Sequence, residues 1–208
     1  MWRSLQVTAS ALVISAAVGV PAGTWLALTR FRGQRVLNAL IYTGMGLPPV
    51  VVGLVVYLFL SNSGPFGDLG WLFSIKAMVV AQVIIATPLV IGVTMSSVRA
   101  VDPALRVQLR ALGATPWQAT AAALIEARFG VIVGLVAGFG SIISEVGAVM
   151  LVGGNIDGRT RVLTTAVVLE TRRGNFDVAL ALGIILLTLS FVANLIMVLG
   201  QGKLAESS

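Results

Sequence analysis

Long apolar runs, broken at a few polar points, organise this chain. Uncharged stretches extend from Leu5 to Thr29, Val36 to Gly67, Ala77 to Val98, Phe129 to Ser144 and on past Glu145 to Ile156, and Val178 to Gly202. As a helix, each is long enough to cross a hydrocarbon core about 30 Å thick, which takes about 20 apolar residues. None alternates polarity at every second position, as the strands of a membrane barrel do. Helices then satisfy every backbone group in lipid. The pattern predicts an all-α integral membrane protein, one domain over 1–208, with five transmembrane helices near 5–29, 36–60, 77–98, 129–152 and 178–200.

Composition agrees: 57% of the residues are hydrophobic and 11% charged, with a mean hydropathy of +0.99. Such a chain has too little polar surface to enclose its apolar side chains in water. The first run exceeds the h-region of a secretory signal, about 7–15 residues, and basic residues follow it, so it reads as a retained span. There is no Cys and no His. Disulfides, thiolate metal sites and imidazole proton relays are therefore excluded as the chain's chemistry.

Charge sets the expected sidedness. The first connection carries Arg30, Arg32 and Arg35 with no acid, and the third carries Arg99, Arg106, Arg110 and Arg128 against Asp102 and Glu126. The second holds only Asp68 and Lys76. The positive-inside rule then puts the first and third connections in the cytoplasm, the N-terminus outside and the C-terminal tail inside. The fourth connection goes against the rule, with Arg159, Arg161, Arg172 and Arg173 outside.

The third connection, 102–128, has its own local code. Asp102-Pro103 is a helix start, and Gly113 suits a left-handed helix end. Thr115-Pro116-Trp117-Gln118 fits a capping box with Pro at the first helical position. Two short helices with a sharp turn follow. The pair could simply connect spans, or it could dock another protein through a small-residue turn and Trp117 as anchor. A nucleic-acid reader is not expected, because the second helix offers Ala119 and Ala121 to Ala123 where bases and phosphates want Arg, Lys or Asn.

These stretches resemble the membrane-spanning permease subunits of ABC importers. The likeness rests on "RALGATPW" (110–117), "SEVGAVMLVGGNI" (144–156), "TRVLTTAVVLETRRGNFD" (160–177) and "GLPPVVVGLVVYLFLSNSGPFGDLG" (46–70). They are similar to the subgroup that moves tungstate and molybdate. Of the family's general coupling motif only Gly113 is retained; Val107-Gln108-Leu109, Ala123 and Ile125-Glu126 stand where the motif has other residues. The resemblance implies the type I importer permease fold, with a cytoplasmic coupling-helix hairpin and an outer amphipathic helix. It also implies that Arg110, Ala111, Leu112, Gly113, Ala114, Thr115, Pro116 and Trp117 engage a separate ATPase. The chain has no G-x-x-x-x-G-K-[ST] loop, so ATP and Mg belong to that partner and this chain holds no cofactor. The implied partners are a second copy of the chain, two ATPase subunits, an extracytoplasmic binding protein and membrane lipid. The implied place is a prokaryotic cytoplasmic membrane.

Inside the spans, Glu145 stands out, since an ionisable group in a membrane helix is costly, about 2.5–3.5 kcal/mol on insertion scales. It reads as a gate or helix-packing latch, because a carboxylate is a poor ligand for a dianion. Ser144, Asn155, Arg159 and Arg161 complete the expected path or gate residues, in or beside an outer loop over 153–177. Within that loop Thr160 to Arg173 reads as a helix capped by Thr160 and closed by Gly174. Pro48-Pro49, Pro21 and Pro88 predict kinks, and Gly130, Gly134 and Gly138 predict close helix packing or a dimer face.

Overall fold

The computed structural model describes residues 2–206. It is helical throughout, with no strand among the described residues: α1 (Trp2–Leu28), α2 (Gln34–Met45), α3 (Pro49–Leu60), α4 (Ile75–Arg99), α5 (Pro103–Ala111), α6 (Pro116–Glu126), α7 (Arg128–Ile143), α8 (Gly147–Gly153), α9 (Leu163–Arg172) and α10 (Phe176–Glu206).

Helix α4 is the axis, packed by α1, α2, α3, α7 and α8. Its buried Met78, Ala81, Ile85 and Ala86 meet Val7 and Ala11 of α1, Val52 and Val56 of α3, Ile142 of α7 and Val149 of α8. Without a hydrophobic drive between helices in lipid, close backbone approach supplies the contact. A Cβ on Gly23 would sit 2.7 Å from the Ile91 carbonyl oxygen. Gly130 and Gly134 of α7 face Ser97 and Val93 of α4 in the same way. The glycine spacing of the fourth run thus packs against α4 inside one chain.

Two runs differ from the sequence expectation. Residues 36–60 are bent far more sharply than by a simple proline kink, with α2 and α3 meeting at 101° across a short break. Pro48 cannot continue a helix from α2 and restricts Leu47 before it, while Pro49 starts α3 at its first position. By contrast α1 and α4 run unbroken through Pro21 and Pro88. The fourth run is also divided: α7 stops at Ile143, and Glu145 lies in the junction before α8. At its other end α7 continues from α6 with a 63° bend at Ala127. By length and apolarity α1, α4 and the Phe176–Met197 part of α10 cross a membrane singly. Counting each bent pair as one span gives five.

Candidate functional site

Local hydrogen bonds define the α5–α6 hairpin almost completely. The Asp102 carboxylate accepts the Ala104 N–H at 2.8 Å and caps α5. At its far end Gly113 has φ 93°. The Ala114 N–H donates to the Leu109 carbonyl at 3.0 Å and the Gly113 N–H to the Arg110 carbonyl at 3.1 Å, the paired bonds of a Schellman end. One residue on, the Gln118 N–H donates to the Thr115 hydroxyl at 3.3 Å, and the Thr115 N–H to the Gln118 side-chain oxygen at 2.8 Å.

The turn is therefore rigid, and what it displays is apolar. Leu112 and Trp117 are 84% and 78% exposed, held on either side of Gly113. Arg110, Ala111, Thr115 and Pro116 are exposed beside them and Ala114 is half-buried. Ala119 and Ala123 lie on the buried side of α6. An ordered knob carrying one large aromatic and one leucine is suited to a socket on another protein.

At the opposite end of α1 and α4, the residues expected to form the path or gate have separate roles. Glu145 sits between α7 and α8, where its Oε1 accepts the Ala148 N–H at 3.0 Å and its carbonyl accepts the Thr164 hydroxyl at 3.0 Å. It shares a closed polar pocket of about 10 Å³ with Ser4, Thr8, Gln82 and Thr164. That volume is too small for a tetrahedral oxyanion. Gln82 is only 3% exposed; its amide donates to the Ile142 carbonyl at 2.9 Å, satisfying one of the free carbonyls where α7 ends. The Ser4 hydroxyl accepts the Leu163 N–H at 2.9 Å. Glu145 thus ties α7, α8 and α9 together, beside the separate bonds by which Ser4 of α1 holds Leu163 and Gln82 of α4 holds Ile142.

Ser144 is turned away from this junction, its hydroxyl donating to the Gly140 carbonyl at 2.8 Å. Asn155 has φ 49° and accepts from Arg161 Nε at 3.3 Å, while Arg161 pairs with Asp157 at 3.1 Å. Arg159 shares a recess of about 380 Å³ with Arg3 and Lys76, which puts the N-terminus and the second and fourth connections at one end. Thr160 does not cap the outer helix. Its hydroxyl donates to the Gly153 carbonyl and accepts the Ile156 N–H at 2.9 Å, and α9 begins only after Val162, whose N–H donates to Thr165 Oγ1 at 3.1 Å. Gly174, with φ 80°, does follow its end.

Sequence reasoning missed Ser4, Gln82 and Thr164. An amide in the apolar run 77–98 was a signal for Gln82; Ser4 and Thr164 gave none, because their partners are distant in sequence.

Residues 19–204 match the family model described as "Binding-protein-dependent transport system inner membrane component". Over 196 residues the chain is 43% identical to a probable anion ABC transporter permease protein of Haloferax volcanii, covering 92% of this chain and 84% of that protein. It is 37% identical over 194 residues to the tungstate uptake system permease protein TupB of Peptoclostridium acidaminophilum, covering 93% and 85%. The fold is similar to a chain of the MetNI methionine ABC transporter in inward-facing conformations, with a TM-score of 0.72, 18% identity and coverage of 93% and 90%.

Proposed function

Because this chain belongs to the family of binding-protein-dependent transport system inner membrane components, we propose that it is the permease subunit of an ATP-driven oxyanion importer, with tungstate as its physiological cargo. The α5–α6 knob carries this reading. Its rigid turn presents Leu112 and Trp117, and a partner that cycles with ATP can hold that grip and tilt the helices behind it. Differential stability of the partner's states drives such a cycle; the hairpin transmits it. Relatives named for tungstate and for anions support the cargo.

In the assembled transporter, two copies of this chain flank the path and two ATPase subunits hold ATP and Mg on the hairpin side, which is the cytoplasmic side. An extracytoplasmic binding protein delivers the oxyanion to the end that carries Arg3, Lys76 and Arg159. Tungstate and molybdate are tetrahedral dianions of nearly equal size, so the binding protein sets most of the selectivity.

The test is ATP-dependent uptake by the complete complex in vesicles, with tungstate, molybdate and sulfate each delivered by a docking binding protein. Uptake of tungstate and molybdate is expected. Uptake of sulfate or an uncharged solute with no response to tungstate overturns the cargo and leaves the importer class standing.

A further inference from the structure

Behind the knob, where the ends of α1 and α4 meet α5, lies a recess of about 640 Å³ whose lining includes Arg30, Arg99, Arg106, Arg110, Asp102 and Gln34. Four of the lining residues are arginines and one is a carboxylate, and that carboxylate is already engaged in capping the Ala104 N–H. Arg161–Asp157 and Arg173–Glu170 are ion pairs far along the chain from this recess. None of the four arginines is in either.

Two of the lining side chains are fixed by the end of α1. Gln34 donates to the Leu26 and Thr29 carbonyls at 2.8 and 2.9 Å, and Arg99 Nη2 to the Leu26 carbonyl at 3.2 Å. Arg106 is different. Its Nε is buried and has no hydrogen-bond partner. A buried donor on a permanently charged group is costly unless an acceptor reaches it. Several like charges around one recess add repulsion that an anion relieves. Guanidinium groups offer planar forks of N–H donors that match the edges of a tetrahedral oxyanion. The apolar knob of Leu112 and Trp117 meets a different need, since it suits a protein socket and has no use for an anion.

We propose that this recess binds an oxyanion group at the hairpin end of the permease, either the free tetrahedral dianion or the phosphate of a net-anionic lipid headgroup. The free dianion would be cargo held at the mouth of its exit, and to that extent the proposal rests on the importer reading. Arg106 and Arg30 are its principal ligands, Arg99 closes one side, and Arg110 joins the recess to the knob.

The experiment uses the permease with its ATPase subunits in lipid nanodiscs, without binding protein, and measures equilibrium retention of radiolabelled tungstate and of inorganic phosphate. In discs of phosphatidylcholine alone the wild-type complex is expected to bind both saturably. Arg106→Gln and Arg30→Gln should each weaken binding by about tenfold or more. Arg106→Lys keeps the charge and removes the fork, so it should fall between. Discs containing phosphatidylglycerol separate the sources: displacement of label from the wild type identifies the headgroup, and undiminished retention identifies the free dianion. Absence of saturable binding, or wild-type retention in an Arg106→Gln/Arg30→Gln double variant, overturns the proposal. So does loss of the ATPase subunits from the variants with anion retention per permease intact, because the arginines would then belong to that protein contact. Binding-protein-dependent uptake is measured in parallel. No uptake of any oxyanion by the wild type defeats the importer reading, whereas intact uptake with unchanged retention in the variants defeats this inference alone.

Discussion

At the scale of single residues, Gly113 and Glu145 carry the sharpest expectations. A Cβ on Gly113 would meet nothing within 4 Å, but its φ of 93° excludes ordinary side chains. A substitution there acts through backbone strain of about 1–2 kcal/mol and not through a clash. Gly113→Val should insert and assemble as a helical membrane protein yet lose most ATP-driven uptake, read by comparing vesicle transport with protein content. Normal uptake would sink the docking role of the turn. For Glu145, the accepted Ala148 N–H needs an oxygen more than it needs a charge. Glu145→Gln should therefore keep near-normal thermal stability, while Glu145→Leu should lose about 1 kcal/mol, the value of a helix cap. Equal losses in both would show that the ionised carboxylate itself is required. The caps at Asp102 and Thr115 were legible in the sequence, because each has its partner within three positions. Thr160 was not, because its hydroxyl serves Gly153 and Ile156 across a folded loop and leaves α9 to be capped by Thr165.

Among elements, α3 and α8 approach closely at a testable contact. A Cβ on Gly53 would lie 2.5 Å from the Ala148 Cα, which is backbone and cannot rotate away. Gly53→Ala should push the two helices apart and cost about 1–3 kcal/mol, the range for overpacking, read as a lower melting temperature in detergent. The junction of α9 and α10 has a pH signature. The Asn175 side chain, bonded to Glu170 at 2.7 Å, holds that carboxyl below its ordinary value of 4.5; desolvation opposes this in part, and Arg173 adds to the lowering. Since the folded value is lowered, this tie contributes above the ordinary Glu value and is lost as pH falls through the lowered one. Hydrogen exchange at 170–175 should rise in that acid window, and Glu170→Gln should flatten the response. Apolar runs were read correctly as helices because lipid leaves the backbone few other choices. Their interruptions were harder. Pro48-Pro49 announced a bend, but neither its 101° nor the packing of α3 on α8; Glu145 was conspicuous, but the bonds that Gln82 and Thr164 make to Ile142 and Glu145 at the helix break come from residues distant in sequence.

For the whole molecule, the distribution of burial matters more than its amount. Apart from Ala179, no residue of α10 from Phe176 to Met197 is buried, and Leu54, Val55 and Leu58 of α3 are exposed as well. These apolar surfaces are left uncovered by the chain itself. Among the described side chains, Ala179 is the one buried residue that α10 supplies; every other buried residue precedes Ala166. The interior is therefore complete in the part of the polypeptide that leaves the ribosome first. Packing around α4 can close while α10 is still being synthesised, and the last helix is free to settle against a bilayer or a second subunit without reopening what has already formed.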